Sequence, residues 1–100
     1  MMVTAKLHRK NDRTVIAVCD RTLLGIKLEE NGIVLDINPD FYKGEEYDDK
    51  TIGDLIRNAD AVNLVGEEAV KLGVEEGIID ETIIKKVKGV PYAQAIVVHD

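Results

Sequence analysis

The stretch VTAKLHRKNDRTVIAVC, residues 3–19, decides the fold of this chain. Residues 3–9 alternate between apolar and polar side chains, which is typical of a strand with one buried face. After a polar turn at residues 10–13, residues 14–19 form a nearly unbroken apolar run rich in β-branched side chains. Such a run predicts a second, more deeply buried strand, and the two strands together predict a β-hairpin.

Working outward, the pair Asn31-Gly32 predicts another hairpin, because both residues tolerate a positive φ. Apolar stretches at residues 26–28 and 33–37 lie on either side of this pair and supply its two strands. Between the two predicted hairpins, residues 20–25 are too few for a full helix and end on glycine, so they predict a single helical turn.

The second half of the chain has helical spacing of its apolar residues. One helix is predicted to begin with Asp49 or Thr51 as its cap and to run to about residue 58. A second helix is predicted over residues 65–76, and Gly77 is placed to end it in a Schellman-type turn. The pattern therefore predicts two helices.

The remaining elements are short. Residues 61–64 fit either a strand or the start of the second helix, while residues 83–87 and 95–98 predict two strands. The intervening segment, Lys88 to Gln94, is predicted to be a loop. One hundred residues correspond to a single domain, residues 1–100. We predict an α+β fold, with a mainly antiparallel β-sheet and two α-helices packed on one face.

The composition excludes several classes of protein. Hydrophobic residues make up 45% of the chain, which excludes a disordered tail. No apolar run approaches the roughly 20 residues that span a bilayer, and the start of the chain does not resemble a signal peptide. The single cysteine is typical of a reducing compartment, so we expect a cytoplasmic protein without a membrane partner. Aromatic residues are only 4%, which is few for stacking several bases.

The net charge of -6 is distributed unevenly along the chain. Residues 1–27 carry six basic and two acidic side chains, residues 28–84 carry four basic and sixteen acidic ones, and residues 85–100 carry three lysines and one aspartate. Folding either brings these segments together so that their fields cancel, or it produces a basic face opposite an acidic one.

The segment from Gly89 to Gln94 is the most distinctive candidate site. Gly89 gives the backbone freedom and Pro91 fixes φ, so a loop here would present Tyr92 and Gln94 beside three lysines. A β-turn with a partly buried tyrosine explains the same residues without a function. The candidate ligand- or partner-binding residues, taken from this region and from the basic first hairpin, are Lys85, Lys86, Lys88, Tyr92, Gln94, Arg9, Lys10 and Arg13.

Catalytic and metal-binding candidates are weaker. Asp20 next to Cys19 disfavours the thiolate, and so does burial on an apolar strand. His8 and His99 would meet near Cys19 only if the first and last strands were neighbours, and the close ligand pairs of zinc sites are missing from the sequence. Gly66 has no phosphate-binding motif around it and is more typical of close packing. We predict no catalytic residue, no metal ligand and no cofactor.

Four groups of residues occur in a fixed order along the chain. They are Cys19-Asp20 with Leu23-Leu24-Gly25, Phe41-Tyr42 with Gly44-Glu45, Asn63-Leu64-Val65-Gly66 with Ala69-Val70, and Gly89-Val90-Pro91 with Ala93-Gln94. This ordered set, which covers nearly the whole chain, resembles the archaeal family called domain of unknown function 424. Tyr92 stands where the family's loop is associated with His, which weakens a catalytic role of the loop. The family has no settled activity, so the resemblance implies an identity rather than a function.

The sequence favours a non-catalytic binding or adaptor module, with RNA or a translation-linked protein as the expected partner. The alternative is a small enzyme that uses Cys19, His8 or the loop from Gly89 to Gln94, although no nucleophile–base–orienter set is evident. A third hypothesis is an acidic protein-interaction surface on the predicted helix over residues 65–76. The RNA hypothesis depends on the segregation of charge, so the placement of the basic residues in the fold decides its strength.

Overall fold

The computed structural model describes residues 3–99, in which six strands form one sheet. These strands are β1 (Val3–Lys10), β2 (Arg13–Asp20), β5 (Glu45–Glu46), β6 (Ala61–Val65), β7 (Lys85–Val87) and β8 (Val90–Ile96). The other two, β3 (Lys27–Glu30) and β4 (Ile33–Asp36), pair with each other. The sheet order is β5-β1-β2-β6-β8-β7, and β2–β6 is its one parallel pair within the described residues. The fold is α+β with a mostly antiparallel sheet, as the sequence predicts.

Both hairpins that the sequence predicts are confirmed. Strands β1 and β2 pair along their whole length, from Val3 opposite Asp20 to Lys10 opposite Arg13. The two residues of their turn have positive φ, and so do Asn31 and Gly32 between β3 and β4. These turns match the twist of an antiparallel pair, which explains why two connecting residues suffice in each.

The helices are α1 (Pro39–Tyr42), α2 (Asp49–Asn58) and α3 (Glu67–Glu75), and two single 3-10 turns lie at Arg21–Leu23 and Glu81–Ile83. Both caps predicted for α2, Asp49 and Thr51, are wrong, because it is Asp48 that accepts the hydrogen bond from the backbone N–H of Thr51, at 2.8 Å. Asp48 is the residue whose extended backbone leaves its side chain free to turn back over the first helical turn.

The second predicted helix begins later than expected, since residues 61–65 are strand β6 and α3 starts only at Glu67. Its predicted end is confirmed. Gly77 has φ of 74°, and its N–H donates to the carbonyl of Val74, while the N–H of Ile78 donates to the carbonyl of Gly73. This pair of bonds is the Schellman motif, which satisfies carbonyls that the helix leaves free at its end.

The predicted loop from Lys88 to Gln94 is wrong. Only Lys88 and Gly89 form a turn, with φ of 51° and 78°, and residues 90–96 continue as strand β8. The preceding strand is also shorter than predicted, because residues 81–83 form a 3-10 turn and β7 has only three residues. Gly89 and Pro91 indicated a longer loop in the sequence, but a two-residue turn is enough to join the two strands.

Side chains alternate between the two faces of the sheet, and each face has its own buried cluster. Residues of β1, β2, β6 and β8 share the larger cluster with α2 and α3: Val3, Ala5, Ile16, Val18, Ile52, Ile56, Ala59, Val62, Leu64, Ala69, Val70, Leu72, Ile79, Ala93 and Val97. On the opposite face, the β3–β4 hairpin and α1 contribute to a smaller cluster: Ala17, Cys19, Ile37, Tyr42 and Val65. In the part of the chain described, no helix is long and apolar enough to cross a membrane.

Candidate functional site

Part of one sheet face is left open, on the side where the β3–β4 hairpin and α1 pack. The register places His8, Val15, Ala61 and Ile96 in one row across β1, β2, β6 and β8, and cross-strand partners project from the same face. Ile96 is 77% exposed, so no described element covers this row at its β8 end. We call this surface the open patch; its residues are His8, Lys10, Arg13, Val15, Ala61, Asn63, Gln94, Ile96, Tyr92 and Lys85.

A cavity of about 710 Å³ lies at the β8 edge of the open patch. Lys85, Tyr92 and Gln94 line it together with the backbone around Ala93 and the turn at residues 82–83. The cavity exists because β7 pairs with β8 only as far as Tyr92, which leaves the rest of β8 without a neighbour on that side. Its size is in the range that small-molecule sites occupy.

Two smaller hollows continue the open patch toward the tip of the β1–β2 hairpin. One, of about 320 Å³, has Asn63, Gln94 and Ile96 among its lining residues. The other, of about 360 Å³, has Lys10 and Arg13 at its edge. These two cations belong to directly opposed residues of β1 and β2, so their side chains project side by side.

The charge of the open patch is entirely positive. It contains Lys10, Arg13 and Lys85 and no carboxylate, although the chain has 19 acidic residues. Two amides, those of Asn63 and Gln94, face each other across β6 and β8 in its centre, and neither side chain has a hydrogen-bond partner among the described residues. The patch therefore offers cations and unpaired amides on a partly apolar surface.

Asp60 borders the open patch beside Ala61. Its carboxylate accepts hydrogen bonds from the N–H and the hydroxyl of Thr14, at 2.8 and 3.3 Å. These bonds, with the backbone bond first, lower the pKa of Asp60, and the nearby charges of His99 and Arg13 act in the same direction. Because the carboxylate is bound to Thr14, Asp60 links the start of β6 to β2 and does not project into the open patch.

His8 fixes one side of the open patch to α1. Its Nε2 lies 2.8 Å from the carbonyl oxygen of Phe41, and the two rings stack with centroids 4.5 Å apart. A carbonyl oxygen can only accept a hydrogen bond, so Nε2 is the donor and carries the proton in this arrangement. The imidazole thus acts as a structural contact between β1 and α1.

The eight predicted binding residues fall into separate places. Five of them lie together on the open patch: Lys10, Arg13, Lys85, Tyr92 and Gln94. Arg9 and Lys86 are their immediate neighbours in the chain, and the alternation of a strand places both on the opposite face. Lys88 lies in the β7–β8 turn, where its backbone N–H donates to the carboxylate of Glu30 at 3.0 Å.

The residues of the enzyme hypothesis do not converge. Cys19 is fully buried, its thiol donates to the carbonyl of Asp20, and burial, followed by the charge of Asp20, raises its pKa to about 12. Thr4 is the β1 residue opposite Cys19, which leaves His8 four residues, or about 13 Å, further along the strand. His99 contacts the carbonyl of Ala59 instead, because β2 and β6 lie between β1 and β8.

Residues 3–99 contain no group of three or more His, Cys, Asp or Glu side chains placed to hold a metal ion. The carboxylate of Asp20 is engaged elsewhere, as an acceptor from the backbone N–H groups of Glu68 and Ala69, at 3.2 and 2.9 Å. Burial raises the pKa of Tyr42 to about 12, and the adjacent Cys19 adds to this effect. The interior polar groups thus serve packing and capping.

Asn63 and Ile96 are residues of the open patch that the sequence did not single out as binding residues. Strand alternation at residues 61–65 would have placed Asn63 opposite the buried side chains of β6, but that segment fitted a helix equally well. Ile96 was expected in a strand without a predicted burial, and β7 is too short to lie beside it.

Comparison with known proteins gives one family. Residues 8–98 match the model of the family described as "Protein of unknown function (DUF424)". Among solved structures, the chain is similar to an uncharacterized conserved protein from Methanopyrus kandleri, with a TM-score of 0.80 and 29% sequence identity. The similarity covers 100% of this chain and 96% of that chain. A search of curated proteins found no match.

Proposed function

The chain belongs to the DUF424 family, and we propose that it is a non-catalytic module that binds RNA on the open patch. The observation that carries the proposal is the charge of this patch. Lys10, Arg13 and Lys85 project from it without any carboxylate, in a protein whose net charge is -6. A chain that collects its acidic residues elsewhere leaves one face suited to a polyanion.

The shape of the open patch supports a polymer rather than a small anion. Lys10 and Arg13 lie at the hairpin tip, and Lys85 lies beyond β8 at the far edge of the sheet. Neighbouring strands are about 4.8 Å apart, so the cations are spread over several strand widths. A nucleic-acid backbone has phosphates along such a path, whereas a single phosphate would reach either the Lys10–Arg13 pair or Lys85 but not both.

The surrounding residues fit the same partner. The exposed side chains of Ile96 and Gln94 and the half-buried amide of Asn63 lie between the cations. Bases present apolar faces and polar edges to such a surface, while the phosphates contact the basic side chains. The RNA is expected to lie across the strands.

A salt titration with matched variants tests the proposal. Binding of a fluorescein-labelled single-stranded RNA of about 12 nucleotides is measured by anisotropy between low and moderate salt. The variant K10A/K85A removes two cations of the open patch, and R9A/K86A removes the two neighbouring cations from the opposite face. Both variants change the net charge equally.

K10A/K85A is expected to weaken binding at low salt and to reduce the slope of log K against log salt by about 1.4, or about 0.7 for each lost phosphate contact. R9A/K86A is expected to bind within about twofold of the natural chain, since its side chains face away. Equal losses in the two variants, or no binding of the natural chain at low salt, would refute the proposal.

A further inference from the structure

The cavity at the β8 edge adjoins the hollow of about 320 Å³ through Gln94, which lines both, while Asn63 lines the hollow. Together they have features that a general phosphate-binding surface does not need. Asn63 and Gln94 face each other across β6 and β8, and no described residue hydrogen-bonds to either side-chain amide. Each amide carries one acceptor and two donors, and Asn63 is half-buried, so water is less available to it than to a fully exposed group. Polar groups in this position are suited to a partner that brings its own donor and acceptor.

The wall of the cavity adds an aromatic ring and a cation. Tyr92 lies one row beyond Gln94 on the same face of β8, and Lys85 is its direct partner on β7. The ring is partly exposed at the cavity and packs on its inner side against the smaller buried cluster. A ring held in this way offers a face for stacking without much loss of side-chain entropy.

Resting on the proposed function, we infer that this cavity and the adjoining hollow together hold one unpaired base of single-stranded RNA. The amides of Asn63 and Gln94 bond the edge of the base, Tyr92 stacks on it, and Lys85 contacts an adjacent phosphate. Base edges in A-form duplexes are not accessible in this manner, because the narrow major groove excludes side chains. The scarcity of aromatic residues fits a site for one base rather than a platform for several.

The edge of the sheet explains why a base can enter from the side. Strand β7 ends its pairing at Lys85, so β8 beyond Tyr92 has backbone groups without a strand partner on that side. The turn at residues 81–83 forms the opposite wall and contributes Thr82 and Ile83. A base placed here lies between this turn and the strand.

The experiment compares two RNAs of equal length, a single strand without secondary structure and a fully paired hairpin. The variant is N63A/Q94A, and the matched control is N58A, which removes an amide from the exposed end of α2, a helix that packs on the face of the sheet opposite the open patch. Thermal unfolding of each variant verifies that the fold is retained. Because Gln94 is exposed, Q94A alone provides a second variant without a packing change.

The natural chain is expected to bind the single strand about tenfold more tightly than the hairpin, and N63A/Q94A to lose this preference while its hairpin affinity stays the same. Equal affinity for both RNAs, or a preference that survives N63A/Q94A and Q94A, overturns the inference. If the inference is overturned in this way but K10A/K85A still weakens binding, the proposed function is retained without the single-base site. Absence of RNA binding at low salt overturns both.

Discussion

The carboxylate of Asp20 occupies the space into which any side chain at Gly66 would extend, since a Cβ atom on Gly66 would overlap with the carboxyl group of Asp20. Asp20 ends β2 and Gly66 connects β6 to α3, so two neighbouring parallel strands meet at this point. The helix has no side-chain cap of its own at Gly66, and Asp20 supplies one through the N–H groups of Glu68 and Ala69. One carboxylate thus links the end of β2 to the start of α3.

Replacing Gly66 by Ala is expected to destabilise the protein strongly. Gly66 has φ of 104°, a conformation that L residues rarely adopt, and the new methyl group would also displace Asp20. We expect a loss of more than about 3 kcal/mol in the free energy of unfolding, measured by urea titration. The control is G77A: Gly77 also has positive φ, but no heavy atom lies within 4 Å of an added Cβ, so only about 1 kcal/mol is expected.

Equal losses in G66A and G77A would show that backbone strain alone acts at Gly66, contrary to the overlap with Asp20. The double variant D20A/G66A makes the same distinction, because removal of the carboxyl group relieves the overlap. Its loss is expected to be smaller than the sum of the losses in D20A and G66A.

Replacing Asp20 by Ala is expected to cost about 1–2 kcal/mol of unfolding free energy, as for loss of an N-cap. The N–H groups of Glu68 and Ala69 would lose their acceptor in a partly buried position. D20N keeps one carbonyl oxygen and should lose less. D36A, at an exposed position of β4, is the control and is expected to stay within about 0.5 kcal/mol. A D20A variant as stable as D36A would contradict the capping role.

The sequence predicted the parts of the fold that depend on neighbouring residues. The β1–β2 hairpin and the turn at Asn31-Gly32 follow from alternation and from residues that accept positive φ, and the Schellman turn at Gly77 follows from the same preference. The cap of α3 was not predictable in this way, because Asp20 and Ala69 are 49 residues apart. Nothing local to residue 66 indicates which carboxylate will reach it.

The sequence predicted most of the charged and polar residues of the candidate site but not their positions in the fold. Charge counting found the basic residues, but residues 10–13 were predicted to be a turn, so Lys10 and Arg9 are assigned to opposite faces only because β1 extends to Lys10. The length of β8 was not predicted, because the turn before it depends on a positive φ of 51° at Lys88. A lysine in the sequence does not indicate such a conformation. Tyr92 and Gln94 are therefore on a strand beside a cavity rather than on a loop.

The thiol of Cys19 is expected not to react with Ellman's reagent in the folded protein at pH 8. The side chain is fully buried, and its pKa of about 12 keeps the thiolate fraction on the order of one in ten thousand at this pH. In urea the reaction should go to completion at one thiol per chain, and C19A provides the baseline. Rapid stoichiometric reaction without denaturant would contradict this burial and reopen the hypothesis of a reactive cysteine.

Acid is expected to weaken the contact between Asp60 and Thr14. Hydrogen bonds from Thr14 lower the pKa of Asp60 below its ordinary value of 3.8, so the folded state binds this proton less readily than the unfolded state. The stabilisation is therefore fully present above about pH 5 and is lost as the pH falls through the lowered pKa. The carbonyl of Asp60 also accepts from the N–H of Val97, so loosening here reaches the end of β8.

Urea midpoints of the natural chain and of D60N, measured at pH 6 and pH 3, separate this effect from general acid denaturation. Asp48 and Asp80 also have lowered pKa values. Both residues are present in the natural chain and in D60N, so their contribution cancels in the comparison. D60N is expected to be less stable at pH 6 and to approach the natural chain at pH 3, because protonation removes the same charge that the amide lacks. A difference that is independent of pH would mean that the ionised form of Asp60 is not what Thr14 stabilises.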